Sequence, residues 1–206
     1  MNISHGEQVR VTEEHGGEGR GLAWWGMVFF ITSEALIFAN LIASYLYLEI
    51  RQGRWVLPSG QHLTIVQPAI NTVILLASSG PMIMARAGIA KGNKRTLVWG
   101  LIGTIVLGAI FLGGQAYEYG NLIFNEHFTL QYQSFGSGFF TLTGFHGLHV
   151  TIGLIFLLIL LIRALHGDFT QKNHFAVEAG EMYWHFVDGV WVVVFTTVYL
   201  LPLLLG

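Results

Sequence analysis

Long apolar stretches, each about as long as a bilayer crossing, alternate along this chain with short segments carrying most of the charge. A transmembrane helix needs about 20 mostly apolar residues. Five windows meet that requirement: Leu22–Leu48, Val66–Ile89, Thr96–Tyr119, Ser137–Leu165 and Tyr183–Leu204. The pattern predicts an all-α fold, an integral membrane bundle of five transmembrane helices. At ~1.5 Å per residue the fourth window exceeds a ~30 Å hydrocarbon core, so it is expected to tilt or project. Pro68 falls at a helix start, where proline is tolerated, whereas Pro81 falls inside the second helix and is expected to kink or loosen it.

Composition agrees. The chain is 53% hydrophobic and only 11% charged, against roughly 25% charged in soluble domains. Its 26 glycines suit helices that pack closely in lipid. The lack of cysteine excludes disulfides, thiolate metal sites and thiol nucleophiles. A net charge of −2 with scattered basic residues argues against a nucleic-acid partner. Residues 1–21 are polar, with four glutamates among glycines, and read as a flexible cytoplasmic tail ahead of one membrane domain over 22–206. His5 and His15 in that tail are explained by solvation better than by metal binding.

Orientation follows from the basic residues. With five spans, the N-terminal tail and the 2–3 and 4–5 connections share one side. That side holds Arg10, Arg20, Arg86, Lys91, Lys94, Arg95, Arg163 and Lys172, and the other holds only Arg51 and Arg54. The positive-inside rule therefore predicts a cytoplasmic N-terminus and an outside C-terminus. Gly100, Thr104 and Gly108 in the third helix, and Thr143, Gly147 and Thr151 in the fourth, recur every four residues and predict close helix–helix seams.

Candidate chemistry lies in the few ionisable groups within the spans, since such groups are costly there and face a bundle interior. Glu34 sits near mid-membrane and must be protonated, paired or hydrogen-bonded. It reads equally as a proton-active or lipid-adjacent acid and as a neutral hydrogen-bond donor. His146 and His149, three apart on one helix face, could ligate a metal or haem iron. A metal needs further ligands that nothing nearby supplies, so structural hydrogen bonding is the better reading. His185 and Asp188, again three apart, resemble an intrahelical imidazole–carboxylate pair flanked by Trp184 and Trp191. Without a nucleophile elbow the pair suggests a structural or inter-subunit contact. Glu118, between two tyrosines, is expected near the membrane interface. Arg163, Lys172 and His174 are candidates for a lipid head-group, although positive-inside anchoring explains Arg163 as well.

Read in order, these segments resemble cytochrome c oxidase subunit III of the haem–copper respiratory oxidases, from about Leu22 to Leu203. The resemblance rests on Trp25-Gly-Met27, Ser33-Glu34, Asn71-Thr72, Leu75-Leu-Ala-Ser78, Gln115 with Glu118-Tyr119, and Phe135-Gly-Ser137. It continues in Thr143-Gly-Phe-His-Gly-Leu-His-Val150, Asn173-His-Phe175 with Glu178, and Tyr183-Trp-His-Phe-Val-Asp188 with Trp191. It implies an accessory subunit of a proton-pumping terminal oxidase that reduces O2 to water in aerobic respiration, in a bacterial cytoplasmic membrane. Haem and copper would belong to partner subunits, with no catalytic residue and no metal on this chain. Phospholipid would be bound, and the partners would be catalytic subunit I, subunit II, a small fourth subunit and a larger respiratory supercomplex. Support of the catalytic subunit, lipid binding and proton uptake are the roles implied, with Glu34 matching the family's membrane carboxylate.

There are departures from the pattern. Longer members carry two further helices first, which form one wall of a lipid cleft, and this chain resembles the short bacterial form. Trp24-Trp25 stand where many relatives have a basic residue, and Gly189 replaces a common valine. The equivalent subunit of a quinol oxidase or nitric-oxide-reducing complex remains an alternative, and a haem-binding membrane cytochrome a distant one. A solute transporter fits poorly, because the spans show no inverted repeat.

Overall fold

The computed structural model describes residues 21–52, 65–124 and 133–205, with no side-chain placement for Gln52, 133–135 or Leu205. The predicted tail 1–21 lies outside the described residues except for Gly21, as does Arg54. Five long helices are present, and among the described residues there is no strand: α1 (Leu22–Gln52), α2 (Val66–Ala90), α3 (Lys94–Phe124), α4 (Gln133–His166) and α5 (Phe175–Phe195). Helix α5 continues through a π-helical turn, Thr196–Leu200, into a last α-turn, Leu201–Leu205. All five are long and apolar enough to cross a membrane.

Helices α2, α3, α4 and α5 each pack on the next, and α5 closes the ring on α2, while α1 lies outside against α4 and α5. The difference shows in burial: 6% of the most apolar window of α1 is inside the molecule, against 33–44% for the other four. Large side chains fill the ring, with Phe111, Trp184 and Trp191 inaccessible.

Two glycine-ended caps close the connections at one end of the bundle. After α2, Gly92 takes φ +74°, with Asn93 N–H donating to Gly88 O and Gly92 N–H to Ile89 O. After α4, Gly167 takes φ +85°, with Asp168 N–H donating to Arg163 O and Gly167 N–H to Ala164 O. Both are the paired 6→1 and 5→2 pattern that satisfies terminal carbonyls. Asn93 then starts α3, its Oδ1 accepting from Thr96 N–H.

The seam on α3 is present. A Cβ at Gly100 would lie 2.6 Å from Pro81 O, and one at Gly108 would lie 2.7 Å from the Trp184 indole. The first glycine brings α2 and α3 backbones together; the second seats an α5 side chain. Helix α2 runs unbroken through Pro81. The α4 stripe differs from expectation. Nothing approaches the Cβ position of Gly147, and the hydroxyls of Thr143 and Thr151 bond back to Phe139 O and Gly147 O. Close approach on α4 falls instead at Gly138, against Tyr45, and at Gly153, against Trp184. Of the stripe, only Thr143 meets a neighbouring helix, through the Tyr119 hydroxyl of α3; at Thr151 the bond back along its own helix satisfies the hydroxyl.

Helix α5 begins eight residues before the predicted span, at Phe175 rather than Tyr183. The apolar window missed this first part because Glu178 and Glu181 interrupt it. Those two residues turn out to matter.

Candidate functional site

Two imidazole–carboxylate clusters lie within the bundle. The first joins α1 to α4. Glu34 Oε2 lies 3.0 Å from His149 Nε2, with the two side chains 20% and 7% exposed. On the far side of the ring, His149 Nδ1 lies 2.9 Å from Phe145 O. A carbonyl only accepts, so Nδ1 carries a hydrogen. The remaining bond then needs one more proton: either Glu34 is protonated and donates to Nε2, or Nε2 is protonated and donates to the carboxylate. Both descriptions hold the same proton in one contact. Phe38 and Phe145 stand 4.9 and 4.7 Å from the His149 ring, and the Tyr183 hydroxyl donates to His149 O. The hydroxyls of Thr32 and Ser33 beside Glu34 bond back to Val28 O and Phe30 O, leaving His149 as the inter-helix partner.

His146, one turn away, is buried among rings: Trp191 at 4.8 Å, Phe111 at 5.9 Å and Phe38 at 6.5 Å. It shares a helix face with His149, and Phe38 stands beside both rings, but the two imidazoles have separate surroundings. Among the described residues no group of three or more His, Asp or Glu could hold a metal ion.

The second cluster joins α5 to α2. Arg86 reaches Glu178 at 3.2 Å and Glu181 at 3.1 Å. Glu181 lies 3.9 Å from His185 Nε2, and His185 Nδ1 lies 3.9 Å from Asp188 Oδ2. The expected His185–Asp188 pair is therefore longer than a hydrogen bond. The Ser79 hydroxyl of α2 stands between them, donating to Asp188 Oδ2 in a close contact and lying 3.4 Å from His185 Nδ1. Next along α2, Ser78 accepts from Trp184 Nε1 at 2.8 Å. Trp191 Nε1 donates to Thr72 in the same way. The two tryptophans pin α5 to α2 on either side of Asp188.

Glu118, six residues before the end of α3, is buried within the bundle, and Tyr199 in the π-helical turn donates to its Oε1 at 3.0 Å. Inserting one extra residue per turn re-aims side chains, and here the turn sets Tyr199 in the core facing α3. The tyrosine beside it, Tyr119, meets Thr143 at 2.5 Å. Arg163 pairs with Asp168 at 3.1 Å and covers the Phe169 ring at 5.1 Å. Lys172 is exposed, and His174 stands half-buried just ahead of α5.

Sequence reasoning overlooked Arg86, Glu178, Glu181, Ser79 and Tyr199 as site residues. A signal existed for two of them. Positions 178, 181, 185 and 188 step by three or four and so fall on one helical stripe. Ser79 and Tyr199 had none, because their roles depend on which helix faces which.

Comparison with known proteins bears on the family. The family model for cytochrome c oxidase subunit III matches residues 12–202. The chain is 40% identical over 191 residues to cytochrome c oxidase subunit 3 of Synechocystis sp., covering 92% of this chain and 80% of that one. It is 37% identical over 200 residues to the Thermostichus vulcanus protein of the same name, covering 96% of each. It is 39% identical over 181 residues to the Homo sapiens protein, covering 85% of this chain and 68% of that one. The chain thus belongs to the cytochrome c oxidase subunit III family, as a five-helix, multi-pass membrane subunit of a haem–copper respiratory oxidase.

Proposed function

We propose that this chain is the redox-centre-free accessory subunit of a proton-pumping cytochrome c oxidase. It braces the catalytic subunit, binds phospholipid and supports proton uptake, while haem and copper sit in its partners. The observation that carries this reading is the setting of the two buried histidines, His146 and His149. His149 has both ring nitrogens in contacts with Glu34 and Phe145 O, and His146 is walled by Phe38, Phe111 and Trp191. An axial haem ligand needs a ring nitrogen open to a planar macrocycle, and neither histidine offers one.

The further roles follow from the residues. Glu34 with His149 is the proton-active candidate, holding a single proton between α1 and α4. Of the other polar groups within the spans, His185 and Asp188 share one cluster, Glu118 pairs with Tyr199, and His146 is walled by aromatic rings. Arg163, Lys172 and His174 lie at the end of the bundle bearing the basic turns, where an anionic lipid head-group would be held. That end faces the cytoplasm in this reading, with residues 1–21 as a tail on the same side. The partners are catalytic subunit I, subunit II, a small fourth subunit and a larger respiratory assembly, in a bacterial cytoplasmic membrane. The names of the relatives favour cytochrome c over quinol as electron donor.

A reduced-minus-oxidised visible spectrum tests the reading. Haem and copper bands are expected in the gently purified complex and none in the isolated chain. A haem band retained by the isolated chain and lost on His146→Ala or His149→Ala would make the chain itself a cytochrome. A second test addresses Glu34: Glu34→Gln is expected to lower the proton-to-electron ratio of the assembled enzyme, and an unchanged ratio removes Glu34 from any obligatory path.

A further inference from the structure

The Arg86–Glu178–Glu181–His185–Asp188–Ser79 cluster is not absorbed by a bracing role. Its α5 members step along one stripe from the start of the helix to mid-membrane, ~15 Å at ~1.5 Å per residue from Glu178 to Asp188. Arg86 joins Glu178 to Glu181, and from Glu181 through His185 to Ser79 and Asp188 each group lies within 3.9 Å of the next. The two ends differ. Arg86 and Glu178 are open at the end of the bundle that bears the basic turns, whereas the Asp188 side chain is 6% exposed and its Oδ1 has no hydrogen-bond partner.

The charges do not balance without protons. Three carboxyl groups face one guanidinium, and the neighbouring elements add no other cation. From α2 come Arg86 and the neutral Ser79; the groove beside His185 receives Ala35, Phe38, Ala39 and Ile42 from α1; Leu157 and Leu160 of α4 abut Gly180. Uncompensated charge at this depth is costly, so protons on the imidazole or the carboxyls make up the difference. His185 is the one group in the series able to take a proton at one nitrogen and release another from the opposite nitrogen.

We propose that Glu181, His185, Ser79 and Asp188 form a proton-exchange relay from the Arg86 end of α5 to the buried Asp188. A protonated Glu181 gives its proton to His185 Nε2. The imidazole releases the proton on Nδ1 to the Ser79 oxygen, and the Ser79 hydroxyl passes its own to Asp188 Oδ2. Glu181 ends as carboxylate and Asp188 as acid, with the hydroxyl restored and the imidazole left as its Nε2–H tautomer; before the next transfer water at the Arg86 end reprotonates Glu181, and the half-exposed imidazole exchanges its Nε2 proton for one at Nδ1 through water. The 3.9 Å steps close by small side-chain rotations, as proton-transfer contacts commonly do. The relay rests on the accessory-subunit reading and deepens its proton-uptake role.

The test is infrared difference spectroscopy of the resting, assembled oxidase on transfer from H2O to D2O, with Asp188→Asn identifying the Asp188 carboxyl band. Glu181→Gln and His185→Gln are expected to slow exchange at Asp188 on the order of ten-fold or more while its band stays in place. Should His185→Gln fail to assemble, Ser79→Ala interrupts the same step and is expected to slow exchange equally. Exchange at the wild-type rate in these variants overturns the relay, as does an Asp188 carboxyl with no exchangeable proton across the pH range of stability. No turnover is involved, so such a failure leaves the accessory-subunit reading standing; a haem band on the isolated chain would remove that reading independently.

Discussion

The two imidazole–carboxylate clusters use the same chemical groups to opposite ends. Glu34 and His149 meet in one 3.0 Å contact between helices, roofed by Phe38 and Phe145. Glu181, His185 and Asp188 are strung along a single helix at 3.9 Å spacings, with a serine from α2 filling one gap. The first is a closed pair that holds its proton within one contact. The second is an open series whose members each have two neighbours. In a low-dielectric interior a satisfied pair rigidifies, whereas a loosely spaced series leaves room for exchange. What differs is which helices approach and what they bring: α2 adds Arg86 and Ser79 to the second cluster, whereas α1 brings one polar group, Glu34, to His149.

Trp184 stands where the two clusters come nearest along α5, between Tyr183, which bonds His149 O, and His185. Its indole fills a slot formed by Gly108 and Gly153. Trp184→Ala is expected to have the largest effect, a loss of about 3–5 kcal/mol from the emptied core site, with both clusters disturbed together. A thermal melt of the solubilised complex measures it, and a loss under about 1 kcal/mol would show that the two clusters are held apart by something else.

The next effect separates closed pair from open series. Glu34→Ala strands His149 in the roofed site and is expected to cost about 1–3 kcal/mol, against less than about 1 kcal/mol for Glu34→Gln, which keeps a hydrogen-bonding group in place. Equal losses in the two variants, read from the same melts, would mean that packing rather than the bond to His149 holds α1.

Asp188→Asn should be the mildest, at about 0.6 kcal/mol, typical of a single hydrogen bond between membrane helices. The amide oxygen still accepts from Ser79, and Trp184 and Trp191 keep their bonds to α2. A loss as large as that of Glu34→Ala would erase the contrast, because Asp188 would then be as tightly committed as Glu34.

Five spans, their order and the rarity of charge within them were legible from hydropathy alone, because lipid forces every backbone polar group to be satisfied inside its own helix. The motifs around Ser33-Glu34, Thr143–Val150 and Tyr183–Asp188 were enough to place the chain in its family, and they contain Thr143, His146, His149 and Asp188, which the bundle buries. The first turns of α5 were not read as membrane helix, because an apolar window discards Glu178 and Glu181, while the helix itself keeps them by pairing both with Arg86. The partner of Glu118 was not legible either: only the π-helical turn, seen in three dimensions, carries Tyr199 inward to meet it.

The amino-acid sequence by itself determined the class of molecule, the spacing of its polar groups on each helix and the family. Which groups became partners was decided by tertiary structure alone. Periodicity puts residues on a face, but a hydrogen bond across helices depends on depth, rotation and the small residues that let two backbones approach. Thus Glu34 found His149 across 115 positions and Ser79 found Asp188 across 109, pairings that no local pattern contains.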